Sequence, residues 1–149
     1  MNYYFAYGSN MNQQQMQERC PESLLIGKAR LSHYKLDFTI YSKKRKCGCA
    51  DIVLTKDGEV WGLLYIVSDS DLEALDTFEG HPIHYKRCCV TVYDNCGLCY
   101  IACTYEVVTK HTSTLKTSKQ YLGLLQEAAV HHDFPKGYTE FLGSFTTIE

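Results

Sequence analysis

The sequence predicts an α+β fold: a single domain, residues 1–149, with a mostly antiparallel, barrel-like sheet and helices packed outside. Three observations carry that expectation. About seven runs rich in β-branched and aromatic residues follow one another, mostly through short links, which favour antiparallel pairing of neighbours. Two longer stretches break the series with apolar residues at helical spacing. Finally, 149 residues of which 45% are hydrophobic and 13% aromatic suffice for one buried core but argue against two domains.

Residues 3–7 are aromatic and apolar, the composition of a short buried strand, and Gly8-Ser9-Asn10 is a turn cluster that ends it. Strand, small-residue loop and helix in succession aim backbone N–H groups at an anion or a carbonyl oxygen; an ordinary turn uses the same residues. Met11, Met16 and the polar residues through Arg19 read as one short helix that Pro21 ends. Runs 23–31, 33–42, 49–55, 59–67, 85–93 and 98–108 read as strands. Lys56-Asp57-Gly58 reads as a hairpin connection, and Asp94-Asn95-Cys96-Gly97 as a second.

The first interruption, residues 68–78, places Leu72, Leu75 and Phe78 at helical spacing, with a capping box of Ser70 and Glu73 at its start and Gly80 past its end. The second, residues 118–131, carries Tyr121, Leu122, Leu124, Leu125, Ala128 and Ala129 on a broad apolar face and is the longest helix. Residues 137–145 read as a last short helix or coil laid back on the sheet.

With 15 basic and 17 acidic residues the chain has no field that would favour nucleic acid or an anionic membrane. Its one basic cluster, Lys43-Lys44-Arg45-Lys46, reads as a solvated loop without a function. Nothing at the N-terminus resembles a signal peptide, so a cytoplasmic location is expected. There, most of the eight cysteines read as small buried hydrophobes rather than disulfides, with Cys96 and Cys99 at an expected hairpin turn. Cys47-Gly-Cys49 and Cys96-Gly-Leu-Cys99 together offer four thiolates, yet the interval between the pairs is long and neither segment is a zinc knuckle. A zinc-stabilised interaction protein stands as an alternative.

Glu79 is the most informative acid. It closes a helix, precedes a glycine cap, and sits among Phe78, Ile83 and Tyr85. The negative end of the helix dipole and partial burial both disfavour its charge, which suits a group that shuttles protons near neutral pH; a solvated helix end has the same sequence. Other candidates are weaker. His111, His131 and His132 read as surface residues, and His81 with His84 lacks a third ligand. Ser9 has no Gly-x-Ser-x-Gly context or partner, and Cys88 and Cys89 lie in a strand.

Tyr4-Phe5-Ala6-Tyr7-Gly8-Ser9-Asn10-Met11, Val60-Trp61-Gly62-Leu63-Leu64-Tyr65 and Leu75-Asp76-Thr77-Phe78-Glu79-Gly80, in that order and at those intervals, resemble the γ-glutamylcyclotransferase family. Ala29-Arg30-Leu31 with Tyr34-Lys35-Leu36-Asp37-Phe38 resembles the strand pair after the family's first helix, and Ser118-Lys119-Gln120-Tyr121 the start of its long helix, with Thr117 where proline is common. The resemblance implies that Tyr4, Phe5, Ala6, Tyr7, Gly8, Ser9 and Asn10 line a pocket for a γ-glutamyl group. It further implies that Tyr121 contacts that group; Tyr85, placed by its proximity to Glu79, is a wall. The implied reaction is an internal aminolysis, in which the substrate's α-amine attacks its own γ-carbonyl, 5-oxoproline forms and the second amine leaves. Glu79 is then the general base and acid, with no metal or cofactor. Tyr7-Gly8-Ser9-Asn10 is more similar to the loop of members acting on γ-glutamyl amino acids than to the Tyr-Gly-Thr-Leu loop of those acting on γ-glutamylamines. The expected partner is a small γ-glutamyl molecule, not nucleic acid or membrane, and a homo-oligomer is compatible with it. A non-catalytic binding module of the same fold remains the other alternative.

Overall fold

Five strands, β1 (Asn2–Ala6), β2 (Leu24–Ser42), β3 (Cys47–Val67), β4 (Tyr85–Asp94) and β5 (Cys99–Val107), close into a barrel in the order β1-β3-β2-β4-β5. The computed structural model describes residues 1–149. Neighbours pair antiparallel except β1 and β5, which meet in parallel at Tyr4 and Cys103.

Where seven strands are expected there are five, because two pairs of runs are continuous. β2 bends at His33 without breaking. β3 runs straight through Lys56-Asp57-Gly58, which is an irregularity within a strand and not a hairpin: residues 55–58 face His33 alone, between the pairs Ser32 with Glu59 and Tyr34 with Leu54. His33 and Asp57 take φ of 68° and 63°. A tight turn and a bulge demand the same left-handed backbone and recruit the same residues, so local composition does not separate them. The second connection is a hairpin as expected, with Asp94 Oδ1 accepting from the backbone N–H of Cys96 at 2.9 Å and of Leu98 at 3.0 Å.

Four helices pack outside: α1 (Gln13–Arg19), α2 (Asp69–Glu79), α3 (Lys119–His131) and α4 (Lys136–Gly143). α1 follows a single 3-10 turn, Ser9–Met11, and begins at Asn12, whose side chain accepts from Gln15 N at 2.9 Å. α2 is capped by Ser68, which accepts from Asp71 N at 3.1 Å, and not by the expected Ser70 and Glu73 box. β3 ends at Val67, so the hydroxyl level with the first open N–H groups is that of residue 68. At the other end Gly80 takes φ of 67°, and a β-carbon there would stand 2.7 Å from the His84 ring, so position 80 admits only glycine.

α3 begins at Ser118, which accepts from Tyr121 N at 3.0 Å, and turns Leu122, Leu125, Ala128 and Ala129 into the core. Leu125 is fully enclosed, and its truncation to alanine is expected to cost about 2–5 kcal/mol. Thr117 is buried and donates its N–H to Thr146 O at 3.4 Å while its carbonyl accepts from Ile148 N at 2.9 Å, which ties down the carboxyl-terminal segment. No helix is long and apolar enough to cross a membrane.

Candidate active site

A cavity of about 570 Å³ opens where the end of β1, the end of α2, the start of α3 and the β2–β3 hairpin converge. It is lined by Tyr4, Phe5, Tyr7, Gly8, Ser9, Asn10, Glu79, Tyr85 and Tyr121, all singled out from the sequence. Ala6 does not reach it; it is enclosed within the sheet, paired with Leu63.

The walls are mostly tyrosines held by backbone. Tyr7 donates its hydroxyl to Tyr105 O at 2.6 Å, Tyr85 donates to Ala50 O at 2.7 Å, and Tyr121 accepts from Ala50 N at 3.1 Å. Asn10 Nδ2 donates to Tyr4 Oη at 2.9 Å. Burial pushes the hydroxyls of Tyr4, Tyr7, Tyr85 and Tyr121 well above the usual phenol range, so all stay neutral at physiological pH. Tyr85 and Tyr121 thus bind the carbonyl and the N–H of the same residue, Ala50 on β3.

Gly8 sits close to the cavity wall: a β-carbon there would lie 3.2 Å from Tyr121 Oη and 3.4 Å from Ala50 Cβ. Among the loop and turn hydrogen bonds, none uses the N–H of Tyr7 or Gly8 as donor. Two adjacent backbone donors at the edge of the cavity suit a developing oxyanion.

Glu79, the last residue of α2, faces the same cavity. Desolvation pushes its carboxyl up to about 7, against the opposing pull of the Arg19 and Arg45 guanidinium groups. Neither arginine neutralises it. Arg19 donates to Asn10 Oδ1 at 3.1 Å and lies 4.6 Å from the Phe78 ring centroid; Arg45 donates to Ser9 Oγ at 3.3 Å and Gln15 Oε1 at 2.9 Å and lies 5.1 Å from the Tyr121 ring. The carboxyl is half-buried at the cavity and unpaired, which leaves it free to exchange a proton with a ligand.

Both arginines, together with Cys49, His84 and Tyr105, line the cavity without having been legible as site residues. Arg45 belongs to the basic cluster read as a solvated loop. Lys43, Lys44 and Lys46 are indeed exposed, but Arg45 is half-buried and turns inward. Phe78, expected on the buried face of α2, is 54% exposed at the cavity mouth, while Asp71, Leu72 and Leu75 are the buried residues. Ser9 Oγ meets only Gln15 Nε2 and Arg45, with no base to activate it. Burial raises the Cys88 thiol to about 11 and the Cys49 thiol to about 12, so neither is a ready nucleophile. Cys47 and Cys49 are buried, whereas Cys96 and Cys99 are exposed on the β4–β5 hairpin; nowhere do three metal-ligating side chains converge.

The barrel superposes on a solved structure named "Gamma-glutamyl cyclotransferase" with a TM-score of 0.92 at 27% identity, over 99% of this chain and 89% of that one. The fold is thus that of a γ-glutamylcyclotransferase. The family model described as "Gamma-glutamyl cyclotransferase, AIG2-like" matches residues 4–126. In sequence, the chain is 37% identical to Gamma-glutamylcyclotransferase of Homo sapiens over 144 residues, 93% of this chain and 76% of that protein. Against the Bos taurus Gamma-glutamylcyclotransferase it is 32% identical over 146 residues, 95% and 77% of the two chains. The chain belongs to the γ-glutamylcyclotransferase family.

Proposed function

We propose that the chain, acting as one domain, is a γ-glutamylcyclotransferase that converts a γ-glutamyl amino acid to 5-oxoproline and the free amino acid. The observation that carries this reading is Glu79: an unpaired carboxyl with a pKa of about 7 in a cavity whose loop offers free N–H donors. A carboxyl poised there both accepts and returns a proton near neutral pH.

The substrate brings its own nucleophile. Its α-amine attacks the γ-carbonyl carbon, a C–N bond closes the five-membered lactam, and the C–N bond to the second amino acid breaks. Glu79 takes a proton from the attacking amine and delivers one to the departing nitrogen, which leaves poorly unless protonated. No water is consumed. Because attacking and attacked groups are tethered, holding the folded conformer accounts for much of the acceleration. The tyrosine walls would hold it, and the N–H groups of Tyr7 and Gly8 would stabilise the oxyanion. Metal and redox cofactors have no step to perform. A cytoplasmic enzyme on small γ-glutamyl compounds, with no nucleic-acid or membrane partner, completes the reading.

The test is 5-oxoproline release from γ-glutamylalanine and from α-glutamylalanine under one condition. Release is expected only from the γ-linked peptide, since the α-linked amine cannot close the same ring on the reacting carbonyl. Comparable release from both, or none from the γ-linked peptide, would overturn the proposal.

A further inference from the structure

The cavity is unbalanced in charge. Arg19 and Arg45 both line it, yet its one carboxyl, Glu79, makes no ion pair with either. Neither arginine takes part in any of the ion pairs of the molecule. A half-buried guanidinium without an anion is an unfilled site for one.

Arg45 is the more open of the two in function. It projects from the hairpin between β2 and β3 onto the ring of the buried Tyr121, and its neighbours there, Tyr41 and Lys43, are exposed where they line the cavity. Both of its hydrogen bonds leave from one terminal nitrogen, Nη2. The other terminal nitrogen keeps its N–H groups for an outside acceptor. The Tyr121 ring beneath and Gln15 behind fix the plane of the guanidinium, as a carboxylate receptor requires.

We infer that Arg45 reads the α-carboxylate of the leaving amino acid, and so makes this site one for γ-glutamyl amino acids rather than for uncharged γ-glutamylamines. The inference rests on the cyclotransferase reading of the same cavity. With the glutamyl group against the buried tyrosines and the γ-carbonyl beside Glu79 and the loop N–H groups, the second residue of the substrate extends to the rim where Arg45 stands. Its side chain meets solvent and is read loosely; its carboxylate meets the Arg45 guanidinium, which keeps one terminal nitrogen unbonded. Arg45 acts here by specificity and positioning, not on the reacting atoms.

The experiment compares γ-glutamylalanine with γ-glutamylalaninamide, which differs only in the leaving carboxylate, for the wild-type chain and for Arg45→Gln and Arg45→Lys. The wild type is expected to favour the carboxylate by about tenfold or more in kcat/KM, the size of one charge-assisted hydrogen-bonded pair at a half-exposed position. Arg45→Gln should bring that ratio close to one, whichever way the absolute rates move, and Arg45→Lys should retain part of it. Equal use of both compounds by the wild type would overturn the assignment without any variant, while leaving the cyclotransferase reading intact. A preference that survives in Arg45→Gln would overturn it too, since another cation of the cavity, Arg19 or Lys43, would then be the receptor. No 5-oxoproline from either compound would remove the underlying reading together with the inference.

Discussion

The Tyr121 hydroxyl lies 3.2 Å from the point where a β-carbon on residue 8 would stand, and the same hydroxyl accepts a hydrogen bond from Ala50 N at 3.1 Å. One oxygen therefore ties the start of α3 to β3 and packs against the loop after β1. Glycine at position 8 keeps that junction free of a tight contact. In Gly8→Ala, Tyr121 must give way, and its bond to Ala50 with it. Overpacking of this kind costs about 1–3 kcal/mol, and a displaced loop should reduce kcat/KM by roughly a hundredfold. Thermal unfolding and 5-oxoproline release measured together check this; full activity in the variant would show that the loop tolerates the displacement.

Removing the oxygen itself separates the two roles. Tyr121→Phe keeps the ring that carries Arg45 but leaves the buried N–H of Ala50 without an acceptor, expected to cost about 1–3 kcal/mol of stability. The melting temperature should fall, and KM should rise as the cavity wall loosens. An unchanged melting temperature would mean that the Ala50 peptide finds another partner.

Protonation of Glu79 couples activity and stability to pH in opposite senses. Burial holds its pKa at about 7 in the folded chain, against 4.5 for an ordinary glutamate. Between those values the folded state keeps a proton that the unfolded state has lost. The stability contributed by this group is fully present below 4.5 and is lost as pH rises through about 7. Melting curves from pH 4.5 to 8 should show Glu79→Gln gaining on the wild type as pH rises; parallel curves would contradict the raised value. Activity moves the other way: as a base Glu79 must be ionised, so kcat/KM should fall on the acid side of about pH 7.

Chelation and thiol modification should separate cleanly. EDTA is expected to leave the rate unchanged, because no three ligating side chains converge and the mechanism has no step for a metal. Loss of activity on chelation, restored by zinc, would contradict this. Alkylation should be slow and, where it inhibits, should track modification of Cys49, the thiol that lines the cavity and that burial raises to about 12.

Much of this was legible in the sequence because it depends on local patterns: aromatic strand, small-residue loop, helix ending in Glu79-Gly80, amphipathic α3. The unread parts depend on pairing over distance. His33 and Asp57 make bulges that resemble turns, so two long strands looked like four short ones. The cap of α2 fell to Ser68 because the end of β3, not the helix's own sequence, sets the first open N–H. Arg45 was lost in a run of four cations whose members differ only in direction. Its inward turn follows from the register of β2 with β3 and from the Tyr121 ring waiting on α3, which are contacts between residues far apart in the chain.

The proton-transfer role of Glu79 is tested most directly by Glu79→Gln, followed as 5-oxoproline released from γ-glutamylalanine. Glutamine has nearly the same shape, fills the same space at the end of α2 and carries no exchangeable carboxyl proton. The fold should persist, seen as an unchanged circular dichroism spectrum, and substrate should still bind, while turnover falls on the order of a hundredfold or more. Turnover near the wild-type rate in a folded variant would contradict the assignment and send the search to another acid.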